Sequence, residues 1–160
     1  MGNLEPGITK QIRKLLAINK IDFQEIDHEP ATTCEQSARV RGCDQKIGGK
    51  SILFKDKSDY RIFVMSAALQ IDSKKVRKIL KSGWLRFATN EELWEKAGVE
   101  KGALPPFGRG ILPIDLYLDK SILKNEEIAF NAGTHTELIQ MAYKDFEQLV
   151  KPKVLKFSLV

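Results

Sequence analysis

Gly48-Gly49-Lys50-Ser51-Ile52-Leu53-Phe54, followed after a polar interval by Tyr60-Arg61-Ile62-Phe63-Val64-Met65, is the stretch on which the fold turns. Glycines ahead of Lys50 and Ser51 invite a phosphate-loop reading, but that motif needs a glycine where this chain has Asp44 and a helix after the lysine. Ile52, Leu53 and Phe54 read instead as a buried strand. Ser51 to Phe54 and Tyr60 to Met65 are then two strands, and the polar Lys55 to Asp59 joins them as a hairpin. In the first strand Lys50, Ile52 and Phe54 share one face, and Ser51 and Leu53 the other. Both faces are apolar, so the strand is interior.

Working outward, Ile8, Ile12, Leu15 and Leu16 place an amphipathic helix over Pro6 to Asn19. Asp22 to Asp27 is a short strand broken by Pro30. Thr32 with Glu35, or Thr33 with Gln36, caps a second helix that runs to about Arg41 and stops at Gly42. Beyond the hairpin, Ile71 to Ser82 is a helix with Val76, Ile79 and Leu80 inward and Gly83 as its stop. Trp84 to Phe87 is a strand, and Thr89 with Glu92 opens a helix ending near Gly98. Ile114 to Leu118, Glu127 to Phe130 and Glu137 to Met141 are strands, with Asn131-Ala132-Gly133 a turn. Tyr143, Phe146, Leu149 and Val150 mark a last helix, and Val154 to Val160 is a candidate final strand. Strands and helices do not alternate strictly, which argues for an α/β chain with a mixed sheet flanked by helices rather than a doubly wound one.

The 160 residues form one expected domain, 1–160. Hydrophobic residues make up 42% and charged residues 29%, an ordinary globular balance. No apolar stretch approaches the ~20 residues of a membrane span, and Met1 to Lys14 carries no secretory core. The expected location is the cytoplasm. The two cysteines, Cys34 and Cys43, and the two histidines, His28 and His135, show no zinc or redox spacing, so no metal and no cofactor is expected. The net charge of +5 favours polyanions.

That charge is distributed unevenly. From Ser73 to Asn90 there are six basic residues and no acid. Lys74, Arg77, Lys78 and Lys81 recur at helical spacing opposite Val76, Ile79 and Leu80. Solvated faces usually mix signs, and this one points to contact with a nucleic-acid backbone. Lys50, at the entrance of an interior strand, needs an anionic partner if buried. A ligand phosphate or carboxylate, a local acid such as Asp44, or solvent would each serve. Gly102-Ala103-Leu104-Pro105-Pro106-Phe107-Gly108-Arg109-Gly110 is a loop of fixed shape. It either presents backbone N–H groups to an oxyanion or carries the chain through a tight crossing. No G-x-S-x-G elbow supports a covalent serine mechanism.

Three segments in order, Gly49-Lys50-Ser51-Ile52-Leu53-Phe54, Gly102-Ala103-Leu104-Pro105-Pro106-Phe107-Gly108 and Asn131-Ala132-Gly133, make the chain resemble the YbaK family of aminoacyl-tRNA deacylases over roughly residues 8–150. That family is related to the editing domain inserted in bacterial prolyl-tRNA synthetases. The resemblance implies a mixed, barrel-like sheet and a pocket for the aminoacylated tRNA terminus. It implies catalytic roles for Lys50, holding the terminal nucleotide's phosphate, and Gly102, whose backbone helps position the ester. It places Ser51, Ala103, Pro105, Pro106, Phe107, Gly108, Asn131 and Gly133 around the substrate, and tRNA is then the polyanion expected at the stripe of Lys74, Arg77, Lys78 and Lys81. It implies a metal-independent, substrate-assisted hydrolysis.

The implied partners are mischarged tRNA, of the Cys- or Ala-tRNA(Pro) kind, and prolyl-tRNA synthetase. Ser51 stands where many relatives have Thr, and Thr134-His135-Thr136 follows the late turn in place of a known subfamily signature. Having its own Met1, the chain reads as a free-standing protein acting in trans. The alternative is a non-catalytic tRNA- or synthetase-binding module of the same fold. Gly102→Ala is expected to slow turnover at little cost in stability, provided Gly102 needs no positive φ.

Overall fold

The computed structural model describes residues 7–27 and 47–159. The expected helix from Thr32 to Arg41, with His28, Cys34, Cys43 and Asp44, lies outside the described residues.

The elements in order are α1 (Gly7–Ile18), β1 (Phe23–Asp27), β2 (Gly49–Lys55), β3 (Tyr60–Ser66), α2 (Ser73–Leu80), β4 (Arg86–Phe87), α3 (Asn90–Ala97), β5 (Asp115–Asp119), β6 (Glu127–Asn131), β7 (Glu137–Ala142), α4 (Tyr143–Val150) and β8 (Lys153–Leu155). A 3₁₀ turn over Lys120–Lys124 joins β5 to β6. The strands form two sheets. One is antiparallel in the order β1-β7-β6; the other is mixed, β4-β2-β3-β5-β8, with β5 parallel to both β3 and β8. Among the described residues the sheets meet at one bridge, Gly48 with Ala129, and do not close into a barrel.

The hairpin forms where the sequence places it. Asp56 turns the chain: its Oδ1 accepts the N–H groups of Ser58 and Asp59, both at 2.8 Å. This is an Asx turn, in which the side chain replaces a backbone acceptor. Strand alternation then divides β2 and β3 between two cores. Leu53, Ile62 and Val64 pack with α1, α4 and the facing sheet. Phe54, Phe63 and Met65 pack on the other side with Val76 of α2, Tyr117 and Phe157. Phe63 stacks on Tyr117 at 4.6 Å and meets Phe157 edge-on at 4.9 Å.

Buried Asp119 ties the tail to this second core. Its carboxylate accepts from the N–H groups of Phe157 (2.7 Å), Ser158 (3.0 Å) and Ser121 (3.0 Å). Burial disfavours its charge, but those donors outweigh the desolvation and hold it below the usual carboxylate range.

α2 is shorter than the expected Ile71 to Ser82. Asp72 caps its start by accepting from Lys74 N–H at 3.0 Å, and Lys81, not Gly83, takes the left-handed turn that ends it. α3 begins with the Thr89–Glu92 capping box the sequence announces. Glu92 also binds Arg86 at 2.6 Å and accepts from the Tyr60 hydroxyl, so β4, α3 and the hairpin are pinned together. The Arg86 contact, with the Thr89 N–H and the Tyr60 hydroxyl, drives the Glu92 carboxyl far below its ordinary range. No described helix is long and apolar enough to cross a membrane.

Candidate functional site

Beyond the Gly48–Ala129 bridge the two sheets splay apart, and a cavity of about 900 Å³ fills the opening. Its floor is β2 from Gly49 to Leu53. Ala129 to Asn131 of β6 face it, and Phe87 to Asn90 and Lys101 to Leu104 close its sides. β4 pairs with β2 only at Phe54 and Lys55, so among the described residues the rest of that edge looks onto the cavity. The Leu53 carbonyl accepts from Ala88 N–H on that side at 2.9 Å. By strand alternation the peptide groups of Ser51 point the same way.

Of the residues singled out from sequence, Lys50, Ser51, Gly102 and Asn131 line this one cavity. The Lys50 ammonium donates to the Leu69 carbonyl at 2.9 Å. That bond fixes the side chain at the cavity wall while leaving the cation's charge unneutralised by it. A neutral carbonyl can hold a lysine in place without cancelling its charge for an arriving anion.

Asn131 donates from Nδ2 to the Gly102 carbonyl at 2.7 Å, and His135 donates from Nε2 to the Lys101 carbonyl at 2.6 Å. Two successive peptide groups of the glycine loop are thus gripped by one turn. Peptide groups are trans, so with its neighbouring carbonyl held by His135 the Gly102 N–H points away from that turn. The Asn131 bond fixes the amide's orientation and leaves Oδ1 as an acceptor. That atom and Ser51 Oγ are buried without a partner among the described residues.

The turn is itself rigid. Thr134 Oγ1 accepts from Glu137 N–H at 3.0 Å, Ala132 N–H bonds the Glu137 carbonyl at 3.1 Å, and Thr9 donates to the Ala132 carbonyl at 2.5 Å from α1. In the sequence His135 stands out only as a departure. Its role depends on a loop that lies far away in the chain.

The other candidates are placed elsewhere. Ala103, Pro105, Pro106, Phe107 and Gly108 are buried and do not line the cavity. Phe107 fills the larger core against Phe130 and Phe146. A side chain on Gly108 would meet the Ile114 carbonyl at 2.6 Å, and one on Gly133 would meet Thr9 and Ile8 at 2.7 and 2.8 Å. These are tight crossings beneath the site.

Gly102 has φ +89°. The condition for a harmless Gly102→Ala is therefore not met: alanine there strains the backbone, and both stability and turnover should fall. The basic stripe lies outside the cavity, with Lys74, Lys78 and Lys81 exposed and Arg77 half-buried. Among the described residues no three His, Cys, Asp or Glu side chains gather as a metal site.

Residues 28–149 match the model of the aminoacyl-tRNA editing domain family. The chain is 26% identical over 149 residues to the multifunctional Ser/Thr-tRNA deacylase ProXp-y of Escherichia coli strain K12, covering 89% of this chain and 88% of that one. It is 23% identical over 146 residues to the prolyl-tRNA editing protein ProX of Acetoanaerobium sticklandii, covering 88% and 89%. The fold superposes with a TM-score of 0.82 on a crystal structure of a candidate trans-editing enzyme for prolyl tRNA synthetase, at 24% identity over 99% of this chain and 100% of that one.

Proposed function

Because this chain belongs to the aminoacyl-tRNA editing domain family, we propose that it is a trans-acting hydrolase that removes a small amino acid from mischarged tRNA in the cytoplasm. Water attacks the ester carbonyl, the bond to the ribose oxygen breaks, and free amino acid and tRNA leave. The observation that carries this reading is that Lys50 and Gly102, from distant parts of the chain, line one cavity. Lys50 would hold the terminal phosphate, and the Gly102 backbone would lie beside the ester. Ser51 on the floor and Asn131 facing it are further polar groups of the same cavity.

We read the chemistry as metal-independent and assisted by groups on the substrate, since the sequence offers neither zinc spacing nor a nucleophile elbow. Cysteine or alanine on tRNA(Pro)-like tRNAs are the proposed substrates. The ProXp-y relative, a Ser/Thr-tRNA deacylase by name, adds serine and threonine to those worth assaying. Prolyl-tRNA synthetase is the proposed protein partner.

A deacylation screen across tRNAs charged with these amino acids tests the reading. Release of at least one, undiminished by EDTA, is expected. Release from none would favour the alternative of a binding module, and loss with EDTA restored by zinc would overturn the metal-free chemistry.

The stripe of Lys74, Arg77, Lys78 and Lys81 should supply sequence-independent affinity. Neutralising all four should weaken tRNA binding and lower the dependence of log K on log salt by roughly 0.7–0.9 for each phosphate that the stripe no longer neutralises. An unchanged salt slope would reassign the stripe to solvent.

A further inference from the structure

Phe87 is an apolar side chain left 59% exposed on the wall of the cavity. One face of its ring is covered: it stacks on buried Phe54 at 4.9 Å and 25°. The exposure therefore belongs to the opposite face, which is held rigid by the core beneath it. Three residues back along the chain Trp84 is 46% exposed, with the Arg86 guanidinium 5.7 Å from its ring centroid. Arg86 is fixed in turn by two bonds to Glu92, at 2.6 and 3.0 Å.

These groups share a side of the molecule. Phe87 pairs with Phe54, whose side chain is on the same face of β2 as Lys50 and Ile52. α2 covers that face through Val76, with Ile79 and Leu80. The basic stripe of α2, the open ring of Phe87 and the Lys50 ammonium thus lie on one side of the five-stranded sheet. Between Ser73 and Asn90 the chain carries six cations and no acid. A flat, fixed aromatic surface set among cations suits a ligand that is itself flat and polyanionic. Single-stranded nucleic acid combines the two, through base–aromatic stacking and phosphate contacts. An acidic protein would satisfy the cations but not the bare ring face.

We propose that Phe87 is a stacking platform for a nucleobase of the unpaired 3′ terminus of tRNA where that strand enters the cavity, with the phosphates behind it running toward α2. This rests on the reading that the cavity takes the aminoacylated end of tRNA.

The test compares wild type, Phe87→Ala, Phe87→Leu and Phe87→Trp for affinity toward an intact tRNA and the same tRNA trimmed of its unpaired 3′ nucleotides, at one salt concentration. A stacked base is worth roughly 5- to 150-fold in affinity. Alanine should lose that much on intact tRNA and almost nothing on trimmed tRNA, and tryptophan should retain it. Leucine keeps Phe54 covered yet offers no π face, so it should lose binding as alanine does. That keeps the outcome decisive even if alanine unfolds the edge.

Equal affinity of wild type and Phe87→Leu for intact tRNA would overturn the platform, as would an equal loss on both RNAs. Wild-type protein that binds intact tRNA in this Phe87-dependent way but hydrolyses none of its esters would strike the deacylase reading and leave the platform standing.

Discussion

Lys50→Ala should lower kcat/KM on a mischarged small-amino-acid tRNA by roughly 30- to 1000-fold, about 2–4 kcal/mol of transition-state stabilisation, while the protein remains folded. The side chain is anchored to the neutral Leu69 carbonyl at the wall of the cavity. Truncation removes a cation from where the terminal phosphate is proposed to lie, and among the described residues takes one hydrogen bond, to the Leu69 carbonyl, from the fold. The loss should appear in single-turnover rates as well as in affinity, because a misplaced phosphate misplaces the ester beside Gly102. Lys50→Arg should recover only part of the rate, because the guanidinium is larger and planar. Circular dichroism would check the fold. Wild-type rates in a folded Lys50→Ala protein would remove Lys50 from the mechanism.

Gly133→Ala should cost about 2–4 kcal/mol of stability, a drop in Tm of roughly 5–15 °C for a chain of this size. Two penalties combine. Gly133 has φ +101°, a conformation that a side chain makes strained, and its Cβ would stand 2.7 Å from Thr9 Oγ1 and 2.8 Å from Ile8 Cγ2. Thr9 cannot swing aside without giving up its bond to the Ala132 carbonyl, and Ile8 is part of the larger core. Gly98→Ala is the control, since Gly98 also has a positive φ, +67°, but open space around its Cβ. It should cost only about 1 kcal/mol. Equal melting temperatures for the two variants would show that α1 yields easily at this crossing.

Local chemistry is legible in the sequence. Thr89 and Glu92 declare their capping box three residues apart, the β2–β3 hairpin follows from alternation around Asp56, and α1 follows from the spacing of Ile8, Ile12 and Leu16. Contacts that close over long distances are not. Nothing in Gly48 or Ala129 says that two sheets touch there and then part, although that parting makes the cavity.

The glycine–proline loop is recognisable as rigid, but the sequence does not say which of its residues face a ligand. Gly102 reaches the cavity, whereas Phe107 turns into the core because Phe130 and Phe146, from later elements, provide its packing. The grip of Asn131 and His135 on adjacent loop carbonyls is likewise a product of convergence, and spacing along the chain carries no trace of it. The end of α2 departs from expectation for a subtler reason: Lys81 accepts a left-handed turn two residues before Gly83, the residue that takes such a turn without strain.

The division of β2 and β3 between a larger and a smaller core sets how the molecule opens. α2 rests on the smaller one, and Val76 is its only fully buried side chain. Its amide hydrogens should therefore exchange with solvent through local openings that cost much less than global unfolding, while those of β3, flanked by β2 and β5 on its two edges, should exchange last. The basic stripe of Lys74, Arg77, Lys78 and Lys81 is thus carried by a helix that one fully buried side chain holds down. A polyanion lying across that helix would slow its exchange first, and the protected amides would trace the ligand's footprint without any change in the average structure.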